Sequence, residues 1–165
     1  DEAYGIRKKV EMRPPARPLM PDEYLSDTIR IYDYLKKKKV RTMMWADMLL
    51  DPRIYGTQYH GSEVNGYDGF PAILDKLPKD IILCDWHYIS KGPDYPSYTD
   101  LQRKGFTVWG AVWQDPETIN AFSTYVARYA RKNEGMIATT WWPFVAQEKA
   151  VIERILDTTS SAFFR

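Results

Sequence analysis

Apolar residues are concentrated in four short segments, which give the clearest structural signal in the chain. Each segment has the length of one β-strand and ends in or close to tryptophan or aspartate. Their apolar residues follow one another directly, as expected of parallel strands that are covered on both faces. The predicted strands are Val40–Asp47, Ile81–Trp86, Phe106–Trp113 and Met136–Trp141.

Helical periodicity occupies the intervals between these segments. Apolar residues recur every three or four positions from Tyr24 to Leu35, which predicts an amphipathic helix from Pro21 to about Lys39. A second long helix is predicted to begin at Asp115-Pro116-Glu117, because aspartate is a preferred N-cap and proline suits the first helical turn. Shorter helices are predicted over Pro71–Leu77 and Tyr98–Lys104, and a last one after Pro143.

Alternating strands and helices predict an α/β fold with parallel strand pairing and right-handed crossovers. The strand beginnings are about 26 to 39 residues apart, which is the length of successive βα units, when they are counted from Arg41, Asp80, Phe106 and Met136. A doubly wound sheet would give a similar pattern, but no glycine-rich phosphate loop follows any of the strands. Tryptophan and aspartate at the strand ends favour a TIM barrel, which carries its active site at the carboxyl ends of its strands.

Chain length limits how much of such a barrel is present. With 165 residues and 44% hydrophobic content, the chain can bury one sizeable core. A complete barrel needs about 250 residues. We therefore expect residues 1–165 to form a single unit, a parallel half-barrel made of the C-terminal four βα units. Because the chain has no initiating methionine, we expect it to be a fragment that lacks the N-terminal half-barrel.

Composition argues against several classes of partner. The 23 basic and 22 acidic residues leave a net charge of +1, so nothing indicates a nucleic-acid partner. The basic run Lys36–Lys39 is interpreted as a solvated helix end. No segment reaches the roughly 20 apolar residues of a membrane span, so no membrane partner is expected. Cys84, the single cysteine, lies in an apolar run and is interpreted as a small buried hydrophobe.

Acidic and aromatic residues near the strand ends are the candidates for chemistry. Tryptophan rings stack on the apolar faces of sugars, and carboxylates bind hydroxyl groups or transfer protons. Since side chains alternate along a strand, Trp45 and Asp47 are predicted to share one side of the sheet. The candidate carboxylates are Asp1, Glu2, Asp47, Asp85 and Asp115, and the candidate stacking residues are Trp45, Trp86, Trp109, Trp113, Trp141 and Trp142.

A long segment rich in glycine and tyrosine, residues 49–69, separates the first two βα units. Loops of this length inside a compact domain are often functional. Its His60, like His87 after the second strand, is interpreted as a loop residue rather than a catalytic base. Neither histidine has a second ligand at metal spacing, so no metal and no other cofactor is predicted.

Over most of its length the chain resembles the catalytic barrel of glycoside hydrolase family 20, the β-N-acetylhexosaminidases. Asp1-Glu2 is similar to the adjacent acidic pair that ends the fourth strand of that family. Trp45-Ala46-Asp47 is similar to the end of its fifth strand, and three later segments resemble its sixth, seventh and eighth strands. These segments are Leu77–Trp86, Gly105–Val108 and Gly135–Trp141.

The resemblance implies a mechanism and a set of site residues. In that family the 2-acetamido group of the substrate attacks the anomeric carbon, so the enzyme supplies no nucleophile. Glu2 would be the general acid and then the general base, and Asp1 would orient and polarise the acetamido group. The substrate-binding residues that the resemblance implies are Trp45, Asp47, Trp86, Trp113, Asp115 and Trp141.

Two positions differ from the family pattern. Trp113-Gln114-Asp115 stands where the family commonly has Tyr-x-Asp, and Trp141-Trp142-Pro143 stands where it commonly has Trp-x-Glu. The expected function is an exo-acting, retaining, substrate-assisted β-N-acetylhexosaminidase-like hydrolase, and the fragment is expected to be inactive alone. A non-catalytic carbohydrate-binding or structural half-barrel is the alternative. The expected partners are an N-acetylhexosaminide and either a second copy of the chain, as a homodimer, or the missing N-terminal half-barrel.

Overall fold

A four-stranded, all-parallel sheet is the centre of the computed structural model, which describes residues 19–55, 63–66, 69–141 and 146–164. Its strand order follows the chain, β1-β2-β3-β4, and each of the three pairings is parallel. The predicted α/β fold with parallel strands is confirmed, and this arrangement is consistent with half of a barrel. The strands are β1 (Met43–Trp45), β2 (Ile82–Trp86), β3 (Thr107–Val112) and β4 (Gly135–Ala138).

Among the described residues, helices connect the strands and cover one face of the sheet. The helices predicted from Pro21 to about Lys39 and over Tyr98–Lys104 agree with the observed ones to within about two residues. The helix predicted at Asp115-Pro116 begins where expected and ends at Tyr129. The helix predicted over residues 71–77 is a 3-10 helix, Phe70–Lys76. The last helix begins at Lys149, later than predicted. None of the described helices combines the length and the apolar character needed to cross a membrane. The α-helices are α1 (Pro21–Lys37), α2 (Pro52–Tyr55), α3 (Pro96–Arg103), α4 (Pro116–Tyr129) and α5 (Lys149–Phe163).

The two faces of the sheet have different surroundings. Val108 and Val112 belong to the main core, together with Phe122 of α4. Gly110 lies on the same face, because a Cβ atom placed there would fall only 3.0 Å from the Phe122 ring. We call this the helix-covered face. Since side chains alternate along a strand, Trp109 points to the opposite side, which we call the tryptophan face.

Strand β1 is shorter and less covered than predicted. It spans three residues, and on the tryptophan face Met43 is 44% exposed and Trp45 is 37% exposed. The prediction that this strand is covered on both faces is therefore wrong, because β1 lies at an edge of the described sheet. Ala46 then turns into the helical region (φ −94°, ψ −15°) and begins a 3-10 turn, Asp47–Leu49. Strand alternation ends there, so it no longer relates Asp47 to Trp45.

Candidate functional site

Five aromatic side chains meet beyond the carboxyl ends of the four strands. The ring centroids of Trp45 and Trp141 are 6.2 Å apart, and those of Tyr88 and Trp141 are 6.4 Å apart. Tyr88 also lies 5.8 Å from Trp113 and 4.6 Å from Trp86. We call Trp45, Trp86, Tyr88, Trp113 and Trp141 the aromatic cluster. The cluster brings together the four tryptophans that were predicted to bind substrate.

The aromatic cluster draws in residues from opposite edges of the sheet. Trp45 ends the first strand and Trp141 follows the last, and three strand spacings amount to about 14 Å. Because their ring centroids are only 6.2 Å apart, these side chains converge over the end of the sheet. All five rings keep some surface accessible, and Trp141 is 56% exposed. The cluster is therefore a surface that a flat, partly apolar ligand can reach.

Tyr88 is the central member of the cluster and supplies its hydroxyl group. Its hydroxyl oxygen lies 3.1 Å from Oγ1 of Thr139, and a second side-chain hydrogen bond joins it to Trp141. Burial raises the pKa of Tyr88, hydrogen bonds to Thr139 and Trp141 lower it, and the nearby Asp47 charge raises it; the net direction is upward. The hydroxyl therefore keeps its proton at neutral pH and can both donate and accept.

Sequence reasoning missed Tyr88, although a signal for it was present. Trp86 and Tyr88 are two positions apart, and β2 ends at Trp86. If the alternation of an extended strand continues for two more residues, the side chain of Tyr88 follows that of Trp86 to the same side. An aromatic residue two positions beyond a predicted strand end is therefore a candidate for the same site.

Asp47, a predicted substrate-binding residue, lies close to the cluster but is enclosed. It is 2% exposed, and its Oδ2 accepts a hydrogen bond from Nδ2 of Asn65 at 2.9 Å. Its charge reaches Tyr88 and also Tyr24, whose pKa is raised to about 12 by burial and secondarily by Asp47. Asp47 thus contributes negative charge near the cluster, and its contact with substrate stays a prediction.

Asp115, the other acidic residue predicted to bind substrate, caps helix α4. Its Oδ1 accepts the backbone N–H groups of Glu117 at 2.9 Å and Thr118 at 3.0 Å. Burial raises the pKa of Asp115, but the Thr118 N–H and the charge of Lys91, whose Nζ is 3.6 Å away, lower it by more. The carboxylate is therefore ionised and held by the helix terminus. Its role in substrate binding stays a prediction.

A second group of polar side chains is buried on the helix-covered side of β2. The ring of His87 lies between two carboxylates, with Nδ1 3.2 Å from Oε2 of Glu63 and Nε2 3.3 Å from Oδ2 of Asp85. Ser97 donates to the same Asp85 oxygen at 2.8 Å. The ring also packs edge-on against Phe122. We call Glu63, Asp85 and His87 the buried ionic cluster.

His87 and Glu63 of the buried ionic cluster are both charged at neutral pH. Burial by itself lowers the pKa of His87, but the charges and hydrogen bonds of Asp85 and Glu63 outweigh it and raise the pKa to about 9. Burial raises the pKa of Glu63, but the hydrogen bonds of its carboxylate to His87 and Ser90 outweigh burial, and the pKa of Glu63 lies below its usual value. Since the cluster is fully enclosed, it serves to hold elements together. Asp85, one of the candidate carboxylates, is part of this buried ionic cluster and not of the aromatic cluster.

The remaining candidates lie elsewhere. Trp109 is on the tryptophan face, but its Nε1 donates to the backbone oxygen of Asn133 at 3.0 Å, near the amino end of β4. Cys84 is buried, and burial followed by the charge of Asp85 raises the pKa of its thiol to about 11. Among the residues that the structure describes, no group of three or more His, Cys, Asp or Glu is suited to a metal ion. The candidates Asp1, Glu2, His60 and Trp142 lie outside the described residues.

No family model and no curated protein sequence is similar enough to this chain to count as a match. The aromatic cluster at the strand ends is the feature of the chain that bears most directly on a function.

Proposed function

We propose that this chain is the C-terminal half of a glycoside hydrolase catalytic barrel of the β-N-acetylhexosaminidase type. The aromatic cluster carries the proposal, because accessible rings gathered at the carboxyl ends of parallel strands suit the apolar face of a pyranose. This is also the end of a barrel at which active sites lie. The resemblance of Asp1-Glu2 and the strand ends to glycoside hydrolase family 20 supports the same function.

The reaction would proceed in two steps with retention of configuration. In the first, the acetamido oxygen of the sugar attacks the anomeric carbon, the glycosidic C–O bond breaks, and Glu2 gives its proton to the departing oxygen. Asp1 would accept the acetamido N–H and stabilise the positive charge on the new ring. In the second step Glu2 takes a proton from water, which attacks the anomeric carbon and reopens the acetamido group.

Sugar binding can be tested on the chain as it stands. We expect N-acetylglucosamine to change the tryptophan emission saturably, since four tryptophans belong to the aromatic cluster. Glucose, which lacks the acetamido group, is the matched control ligand and should bind more weakly. No saturable change with any N-acetylhexosamine would overturn the sugar-binding half of the proposal.

Catalysis is tested on the full-length protein that contains this chain. Hydrolysis of aryl N-acetylglucosaminide and N-acetylgalactosaminide is measured with and without Glu2→Gln. Losing a general acid typically slows a reaction about 10²- to 10⁴-fold. Equal rates for the two forms would remove Glu2 from this role. Saturable binding without turnover would favour the alternative, a non-catalytic carbohydrate-binding half-barrel.

The proposal also includes a partner for the sheet edges. Within the described residues, β1 and β4 each pair with one neighbouring strand, and such edges readily accept another strand. Met43 on β1 is also partly exposed. We expect the edges to be completed by the N-terminal half-barrel or by a second copy of the chain. Light scattering over a dilution series tests the second arrangement, and a stable monomer at high concentration would exclude it.

A further inference from the structure

One carboxylate, that of Glu63, contacts four consecutive residues after β2. Its Oε1 accepts the backbone N–H groups of Tyr88 at 2.6 Å and Ile89 at 2.9 Å. Its Oε2 lies 3.2 Å from Nδ1 of His87 and accepts the hydroxyl of Ser90 at 2.5 Å. A carboxylate offers about four lone-pair directions, so Glu63 uses its full capacity on this loop.

The segment that carries Glu63 also holds the end of β1. Two residues later, Asn65 donates its backbone N–H to the carbonyl oxygen of Asp47 at 2.7 Å and its side-chain amide to the Asp47 carboxylate. The N–H of Gly66 bonds to the carbonyl oxygen of Leu50 at 2.8 Å. Residues 63–66 therefore join the chain that leaves β1, just after Trp45, to the chain that leaves β2 and carries Tyr88.

We propose that Glu63 is a positioning residue for the aromatic cluster: by holding the backbone of residues 87–90 it places the Tyr88 ring among the tryptophans. Glu63 is 1% exposed and has no access to a ligand, so it acts through Tyr88. Its effect on sugar affinity rests on the proposed function. Its effect on the placement of Tyr88 does not.

Glu134 provides a matched control at the other end of the sheet. It also accepts four hydrogen bonds, from the backbone N–H groups of Val108 and Arg131 and from the side chains of Tyr98 and Gln102. These partners lie near the amino end of β3 and at the ends of α3 and α4, remote from the aromatic cluster. Glu134→Ala should therefore destabilise the protein without moving Tyr88.

The test compares Glu63→Ala, Glu63→Gln and Glu134→Ala in protein labelled with 5-fluorotryptophan. We expect Glu63→Ala to shift the ¹⁹F resonances of Trp86, Trp113 and Trp141 and to leave that of Trp109 in place. Glu63→Gln should restore most of the wild-type spectrum, because its carbonyl oxygen can still accept the two backbone N–H groups. Glu134→Ala should leave the three cluster resonances unchanged.

Sugar titration of the same variants gives the second readout. We expect Glu63→Ala to bind N-acetylglucosamine about tenfold more weakly, and Glu134→Ala to bind it like the wild type. If Glu63→Ala does not fold, Glu63→Asp takes its place, because its shorter side chain cannot reach the same backbone N–H groups. Unchanged cluster resonances in folded Glu63→Ala or Glu63→Asp would overturn the proposal. If Glu63→Ala shifts the cluster resonances but the wild type binds no sugar, the positioning role is supported and only the proposed function is contradicted.

Discussion

Charged side chains are usually exposed and large apolar side chains are usually buried, and each face of the sheet contains an exception to one part of this rule. On the helix-covered side of β2, three ionisable side chains are almost completely enclosed. On the tryptophan face, large apolar rings keep accessible surface. Buried charge and exposed apolar surface are the informative exceptions in a folded protein, since each costs free energy unless something offsets it. The charges are offset inside the molecule by one another, whereas the rings contact one another and still leave apolar surface accessible to solvent.

Four consecutive residues of β2 and the loop after it create both environments. Asp85 and His87 point to the helix-covered side, and Trp86 and Tyr88 belong to the aromatic cluster. We therefore expect substitutions on the two faces to change different properties of the protein. Those on the helix-covered face should change stability, and those in the aromatic cluster should change binding.

Phe122→Ala should have the largest effect on stability. The Phe122 ring is fully buried on the helix-covered face and packs against His87 and Tyr95. Removing such a ring costs about 3–5 kcal/mol of unfolding free energy through lost burial and the cavity left behind. Urea unfolding measures this. Phe164→Ala is the matched control, because Phe164 is 88% exposed and should change stability by less than about 0.5 kcal/mol.

Raising the pH should weaken the same face. The pKa of His87 is about 9 in the folded protein against an ordinary value of 6.5, so the folded state binds this proton more tightly than the unfolded state does. The resulting stabilisation is complete below about pH 6.5 and is lost as the pH rises through about 9. The shift corresponds to about 3 kcal/mol.

Urea unfolding between pH 6 and pH 9.5 tests this loss. His60→Gln removes the other histidine of the chain and should leave the pH dependence unchanged. An unfolding free energy that stays constant from pH 6.5 to pH 9 would mean that His87 is not held as a cation.

Gly110→Ala should have an intermediate effect. The added Cβ would lie 2.6 Å from Sδ of Met136 and 2.9 Å from Cγ2 of Val126. Overpacking of this kind costs about 1–3 kcal/mol. Gly135→Ala is the matched control, since its Cβ would make only ordinary contacts of 3.4 Å or more with the ring of Trp109. Thermal unfolding measures the stability of both variants. Equal losses of stability in Gly110→Ala and Gly135→Ala would contradict the difference in packing between the faces.

Trp141→Ala should have the smallest effect on stability and a clear effect on binding. Because more than half of the Trp141 side chain is exposed, we expect an unfolding free energy within about 1 kcal/mol of the wild type. Affinity for N-acetylglucosamine should fall about tenfold or more. Trp109→Ala is the control, and it should retain affinity. Equal losses of affinity in the two variants would show that the aromatic cluster is not the binding surface.

Much of the fold was predictable from the sequence because it depends on local pattern. Four apolar runs separated by helical periodicity predicted four parallel strands in chain order, and Asp115-Pro116 predicted the start of α4 within one residue. The end of β1 was not predictable in this way. Alternation holds only while the backbone stays extended, and Ala46 leaves that conformation.

The aromatic cluster was predictable in part, and the buried ionic cluster was not. The strand-end tryptophans were found because a parallel sheet brings carboxyl ends together. Glu63 and His87 are 24 positions apart, and no local sequence pattern predicts their contact. Glu63 lies in the glycine- and tyrosine-rich segment that was interpreted as a functional loop. The segment was therefore identified, but the residue was not.

The strand order of the sheet follows the order of the strands in the chain, which allows the sheet to form one strand at a time. Each strand of the described sheet pairs with the strand just before or after it in sequence, so every pairing closes only one βα unit. These pairings join residues 25 to 39 positions apart, so they cost less loop-closure entropy than pairings between strands further apart in sequence, and synthesis delivers the units from the amino end. We expect a chain that ends after Tyr129 to retain slow amide exchange in β1, β2 and β3. Loss of protection in all three strands would show that the sheet assembles only after β4 and α5 have been made.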